Sequence, residues 1–397
     1  MRNLRPIRYE AWKARAAITS ACWDAAKDDI LVAFGPTEES GQIELGRVVE
    51  EAGAGSNPMY VWEEGLVCRV QRADGYLRKY KKVASWDAPS PNPDVPADRI
   101  VSMHHFSDDL TTCLVLEGGD IVAVREDGDT SSGDDAHIEI MGSIDAGITA
   151  ARWAPDEDLL AISTKADTMV LMSRSFDGVA EALMTPEDLK LSKNVSVGWG
   201  KKETQFKGKG AKALRDPTIP EKVDEGVLSA EDDSRTTISW RGDGAFVAVN
   251  SIESGSRRVI RVYNREGILD SVSEPADGLE GSLSWRPSGD LIAGIQRFSN
   301  HVDVVFFERN GLRHGQFTLR GPSAAEDAVR PIGLEWNSDS TVLAVRYEGV
   351  VQLWTMGNYH WYLKQEVPTR PRCTASVWHP EKSLRLAVTA SGTYSEP

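Results

Sequence analysis

A tryptophan that returns in the same local setting constrains this chain more than any other feature. It closes a short apolar run in ITAARWAPDEDLLAIS at Trp153, VSVGWG at Trp199, TTISWRGDGAFVAV at Trp240 and GSLSWRPSGDLIAG at Trp285. GLEWNSDSTVLAV at Trp336 and ASVWHPEKSLRLAV at Trp378 repeat the plan. Successive positions differ by 46, 41, 45, 51 and 42 residues, the interval of a four-stranded propeller blade. TSACWDAAKDDILVAF at Trp23, and VSMHHFSDDLTTCLVL with Phe106 in the tryptophan's place, extend the series toward the N-terminus. Trp23, Phe106, Trp153, Trp199, Trp240, Trp285 and Trp336 are seven marks, enough to close a ring, and Trp378 is left over.

Each repeat carries the chemistry of a blade. The first strand ends at the aromatic, and a polar turn follows, such as Pro287-Ser288-Gly289-Asp290 or Gly242-Asp243-Gly244. Pro presets φ there, while Gly and Asp tolerate tight backbone conformations. Second strands follow at Leu291–Gln296, Phe246–Asn250 and Val342–Tyr347. Third strands rich in β-branched and aromatic residues occur at Val302–Phe307, Val259–Tyr263 and Val350–Trp354. His314–Leu319 and Tyr359–Lys364 read as fourth strands. The chain is therefore expected to be all-β, a seven-bladed β-propeller of the WD type. The repeated aromatics pack between blades. A tryptophan buries on the order of 200 Å², so its loss to alanine should cost roughly 3–5 kcal/mol.

Composition narrows the function classes. With 60 acidic and 45 basic residues the net charge is −15, which argues against a general nucleic-acid coat but leaves room for a local basic patch. MRNLRPIRYEAWKAR lacks the apolar core of a signal peptide, and no apolar run approaches membrane-spanning length. Cys22, Cys68, Cys113 and Cys373 show no paired spacing and read as reduced core thiols. A soluble protein of the cytoplasm or nucleus, without a membrane partner, is expected.

No catalytic, cofactor-binding or metal-ligating residue is assigned. The chain has no nucleophile elbow, phosphate-binding loop or zinc helix. His104-His105 point to opposite faces of a strand, one half-buried and one exposed. The acidic stretch from Glu126 to Asp135 fails the calcium-loop pattern, because Ser132 stands where glycine is needed. One stretch stands out. Lys193, Lys201, Lys202, Lys207, Lys209, Lys212 and Arg215 are accompanied by a single acid, Glu203, with Trp199 and Phe206 interleaved. This pattern suits RNA phosphates or an acidic partner surface, and equally a solvated, self-repelling loop.

In the same region the chain resembles a known family. VSVGWGKKETQFKGKGAKALRDPT, TISWRGDGAFVAV, LSWRPSGDLIAGIQR, VVFFERNGLRHGQF and VQLWTMGNYHWYLKQE closely resemble the N-terminal part of Elongator complex subunit 1. The resemblance runs from the N-terminus to about Trp378, and it is dense from Ile138 onward. It implies two propellers followed by a helical solenoid and a dimerisation region. It also implies a scaffold role in a complex that modifies carbon 5 of the wobble uridine of tRNA anticodons. The implied partners are the catalytic radical-SAM and acetyltransferase subunit, a second WD-repeat subunit and accessory ring subunits, with tRNA as a further candidate. Chemistry would lie in the catalytic subunit, so no enzyme activity and no cofactor are expected here. On this reading residues 1–366 form the first propeller, with long loops at 36–60, 84–99 and 200–234. Residues 367–397 would be the incomplete first blade of a second propeller in a truncated chain, without the family's dimerisation region. Asn3–Tyr9 is implied to be a strand that completes the last blade. The competing readings are a propeller that binds tRNA directly through 193–215 and, behind it, a propeller hydrolase.

Overall fold

The computed structural model describes residues 4–12, 17–36, 41–48, 57–64, 80–89, 91, 98–126, 136–188, 224–322, 331–369 and 372–391. They form seven antiparallel sheets of four strands each. Blade 1 contains β2 (Ile18–Asp24), β3 (Asp29–Phe34), β4 (Gln42–Val48) and β6 (Tyr80–Asp87). Blade 2 contains β7 (Ile100–Phe106), β8 (Thr111–Leu116), β9 (Asp120–Arg125) and β10 (His137–Ser143). Blade 3 runs through β11 (Ile148–Trp153), β12 (Leu159–Thr164), β13 (Thr168–Ser173) and β14 (Gly178–Leu183). Blade 4 has β15 (Thr237–Trp240), β16 (Phe246–Glu253), β17 (Arg257–Asn264) and β18 (Leu269–Val272). Blade 5 has β19 (Leu279–Trp285), β20 (Leu291–Arg297), β21 (Val302–Glu308) and β22 (Arg313–Thr318). Blade 6 has β23 (Gly333–Trp336), β24 (Leu343–Arg346), β25 (Val350–Gly357) and β26 (His360–Pro368).

Blade 7 departs from this regularity. Its inner strands are β27 (Arg372–Trp378) and β28 (Leu386–Ser391), and its outer strands are β5 (Asn57–Glu64) and β1 (Leu4–Trp12). Residues expected to begin a second propeller are therefore the seventh blade of this ring. The boundary at 366 falls inside β26, and the blades before and after it share one apolar cluster, which joins Val342, Ala344, Val351 and Leu353 to Cys373, Trp378, Leu386 and Val388. The N-terminal strand does complete the last blade, but that blade is built on Trp378 and not on Trp336. The loop bounds also change. The stretch 36–60 contains β4 and the start of β5, 84–99 contains the end of β6, and 200–234 is described only from residue 224.

The innermost strands β2, β7, β11, β15, β19, β23 and β27 follow one another around the ring. Their aromatic ends make the joints. Trp240 Nε1 donates to Arg152 O at 2.9 Å, Trp378 Nε1 to Glu335 O at 3.3 Å, and Trp23 Nε1 to Val377 O at 3.1 Å. In each case the acceptor is the residue just before the aromatic of the preceding blade, so at these three joints the indole both fills the space and satisfies its own polar group. The bond from Trp23 closes the circle. Blade 4 thus packs directly on blade 3, with no blade between them. Trp199, expected to anchor one, lies outside the described residues, and Trp378 takes the seventh place. Second strands such as β12 are buried throughout, whereas fourth strands such as β14 and β22 alternate exposed and half-buried positions. That gradient is the one expected when each blade's outer edge meets water.

Candidate interaction surface

In blades 2 to 6 the strands, lettered a to d from the axis outward, run alternately up and down, so their a–b and c–d turns lie at one end of the ring and their b–c turns and d–a connections at the other. The basic stretch belongs to the d–a connection between β14 and β15. Lys201, Lys202, Lys207, Lys209, Lys212 and Arg215 lie outside the described residues, but both flanks of the stretch are on view. On the outgoing side, Thr185 N and Oγ1 donate to the Asp188 carboxylate at 2.8 and 3.2 Å. Arg261 of β17 then donates its Nε to Asp188 Oδ2 at 3.1 Å and its Nη2 to Thr185 O at 3.1 Å. Its remaining charge is met by Glu253.

The returning side is held as firmly. Asp277 Oδ1 accepts the N–H groups of Glu225, Gly226 and Val227 at 2.9, 2.9 and 3.1 Å. Gly226 has φ +83°, a conformation that suits glycine and lets three successive N–H groups face one carboxylate. Arg313 pairs with Asp224 at 2.9 Å. Arg258 donates Nε and Nη2 to the two oxygens of Asp232 at 2.5 and 2.6 Å, and Nη1 to Arg235 O at 2.8 Å. Arg258 and Arg261 are three residues apart on one strand and form a base on blade 4 for both flanks, holding Thr185 and Asp188 on one side and Asp232 and Arg235 on the other. Their guanidinium groups are almost wholly buried, at 0% and 1% side-chain exposure. Sequence reasoning missed this base. The available signal was RRVIRVYN, which places three arginines in a strand that should be apolar.

The opposite end carries a second set of interactions. Arg174, first residue of the c–d turn in blade 3, pairs with Asp108 and stacks 4.5 Å over Phe106 of blade 2. Arg265 in blade 4 pairs with Asp156 of blade 3, and Arg309 in blade 5 with Asp270 of blade 4 at 2.9 Å. Each arginine reaches back one blade. Across the ring, Arg152 of blade 3 meets Glu335 of blade 6 at 3.3 Å. Burial pushes the Glu335 carboxyl up, against the opposing charge of Arg152.

Among the described residues no three His, Cys, Asp or Glu side chains gather as a metal site, and no helix is long and apolar enough to cross a membrane. Cys22, Cys113 and Cys373 are buried free thiols, and Cys68 lies outside the described residues. His104 is half-exposed, 2.9 Å from Glu157. His105 is fully buried rather than half-buried, because its strand is packed between neighbouring blades. Its Nδ1 is 2.9 Å from Thr112 Oγ1, and its Nε2 is 3.3 Å from Asp24.

Two buried histidines should make the ring sensitive to acid. His379 Nδ1 accepts the N–H groups of Glu381 and Lys382 at 3.1 and 3.0 Å, so it must be unprotonated. Burial lowers its pKa from the ordinary 6.5; Asp28 opposes this, and Lys382 and Arg385 reinforce it. His105 is lowered in the same way, first by burial, with Asp24 opposing and Arg47 reinforcing. Below about pH 6.5 the unfolded chain binds protons that the folded one refuses. Stability should therefore fall with pH, by up to about 1.4 kcal/mol per pH unit for each histidine, until the depressed folded values are reached. Asn337 occupies the equivalent place in blade 6, its Oδ1 accepting from Thr341 and Val342 at 2.9 Å each. Urea titrations at pH 7.5 and 5.5 should find His379→Asn as stable as wild type at the higher pH and less acid-sensitive. Equal acid sensitivity in the two proteins would contradict this assignment.

The family model described as the first N-terminal β-propeller of ELP1 matches residues 1–381. Elongator complex protein 1 of Schizosaccharomyces pombe is 48% identical over 315 residues, covering 78% of this chain and 24% of the relative. Its namesake in Saccharomyces cerevisiae is 45% identical over 328 residues, covering 74% of this chain and 24% of the relative. The Rattus norvegicus protein of that name is 39% identical over 310 residues, covering 74% and 22%. The chain thus spans about a quarter of the length of these relatives.

Proposed function

The chain belongs to the Elongator complex protein 1 family, and we propose that it is a non-catalytic scaffold, its propeller serving as a platform for other subunits of an Elongator complex. The observation that carries this reading is the match of the family model to residues 1–381, which take in every strand of the ring except β28. The buried charged groups described above support it, since each joins blades or holds a connection in place. Modification of carbon 5 of the wobble uridine would be performed by another subunit, with the propeller positioning it. Co-expression with the remaining subunits tests this. The tagged chain should retrieve the catalytic and second WD-repeat subunits and show no turnover alone; turnover by the purified chain would overturn the reading.

Direct tRNA binding is a second reading, favoured by the six positive charges between Lys201 and Arg215. Reversing Lys201, Lys202, Lys207 and Lys209 to Glu should weaken tRNA binding. The slope of log affinity against log salt should become shallower by about 0.7–0.9 for each phosphate that is no longer neutralised. Filter binding at two salt concentrations measures this, and an unchanged affinity and slope would remove tRNA from this surface.

A further inference from the structure

We infer that the tip of the β25–β26 hairpin in blade 6 is a docking pin for a folded protein partner presenting an apolar pocket with an acidic rim. Gly357 pairs directly with His360, leaving a two-residue turn, Asn358-Tyr359. Both turn residues are left-handed, with φ 49° and 63°. Turns of this kind favour Asn followed by Gly, and a bulky residue at positive φ is an outlier. Tyr359 occupies the place where glycine is cheapest, yet 97% of it is open to solvent. Nothing in the packing of the described residues accounts for it. The equivalent turns of blades 3, 4 and 5 carry Arg174, Arg265 and Arg309, each clasped to the blade before. Blade 6 presents an aromatic instead.

The surroundings specify the partner. Met356 and Tyr362 flank the tip at 51% and 47% exposure. Trp361, the cross-strand partner of Met356, lies flat against Phe317 and Phe306, with centroids 4.6 and 5.3 Å apart. The pin is thus mounted on a packed aromatic stack, which lowers the ordering cost of binding, and exposed Tyr and Met are residue types enriched at interface centres. From Thr355 to Gln365 there is no acid, while His360 and Lys364 are present. Glu366, the next acid, is engaged by Gln352 Nε2 at 2.9 Å. In a chain of net charge −15 this strip calls for carboxylates opposite it. One lysine and one histidine are too few to neutralise a run of phosphates, which favours a protein over RNA. A second copy of so acidic a chain is disfavoured by repulsion.

The inference rests on the reading of the chain as an Elongator subunit, and the experiment separates the two. Affinity for the complex of the remaining Elongator subunits is measured for wild type, Tyr359→Gly and Tyr359→Gly/Tyr362→Ser, with melting temperature and tRNA binding in parallel. Tyr359→Gly relieves the turn, so it should melt no lower than wild type while binding weakens about tenfold or more, the loss expected of an anchoring side chain. Unchanged affinity in the double variant overturns the pin. Lost tRNA affinity with unchanged subunit affinity also overturns it, in favour of an RNA platform. A wild-type chain that retrieves none of these subunits defeats both readings.

Discussion

A chain shortened to residues 1–366 is expected to lose the ring altogether. The cut removes β27 and β28, and with them the sheet that β5 and β1 join. Trp23 loses its acceptor at Val377, and Asp28 loses its partners Lys382, Arg385 and His379. The apolar faces of both neighbouring blades are then bare: Ile18, Ile30, Val32, Phe34 and Val48 on one side, and Val342, Val351 and Leu353 on the other. Each such side chain is worth about 1.5–3 kcal/mol when buried. Together they exceed the roughly 5–15 kcal/mol that keeps a domain folded. Residues 1–391 should unfold in one cooperative transition by circular dichroism, whereas 1–366 should aggregate or melt without one. A soluble, cooperatively unfolding 1–366 would show that the last strands belong elsewhere.

That boundary also shows what the sequence could and could not reveal. The aromatic at the end of each inner strand and the polar turn after it are local signals, and they located Trp23, Phe106, Trp153, Trp240, Trp285, Trp336 and Trp378. The error was one of counting. VSVGWG at Trp199 matches the repeat, so counting it filled the ring one blade early and left Trp378 over. Only the direct bond from Trp240 to Arg152 O removes it from the count. The excursion of β5 was out of reach for a different reason. Its partner in the ring is β28, and the pairing of Val61 with Ala387 spans more than three hundred residues without any local trace. The base formed by Arg258 and Arg261 was visible only as misplaced charge. A buried arginine acquires meaning once its carboxylate is known, and Asp188 and Asp232 come from the two ends of an insertion.

The second large effect is expected from Arg47, where charge is buried between blades 1 and 2. Its Nη1 pairs with Asp24 Oδ2 at 2.6 Å and its Nη2 with Glu126 Oε1 at 2.6 Å, and the Asp24 side chain is wholly inaccessible. Ser107 Oγ and Lys27 N donate to the other Asp24 oxygen at 3.0 and 3.1 Å. Burial alone would raise the Asp24 pKa, but the Arg47 bond and the Lys27 N–H hold it below the ordinary value. Arg47→Met leaves that carboxylate buried without its counter-charge, which should cost about 3–5 kcal/mol in urea denaturation at pH 7.5. Asp24→Asn/Arg47→Met removes both charges and should cost less than the two single changes summed. The pH dependence supplies the sharper test. In wild type, Arg47 helps to keep His105 neutral. Without it, the nearest group able to take up a positive charge beside Asp24 is His105, whose Nε2 is 3.3 Å away. Its folded pKa, held down chiefly by burial, should then rise toward the unfolded value. The stability that wild type loses at His105 as pH falls would be smaller in the variant. The cost of Arg47→Met should therefore shrink between pH 7.5 and 5.5, even as the wild-type protein weakens over the same range. A cost independent of pH would mean that His105 does not take the arginine's place, and that the destabilisation comes from lost packing alone.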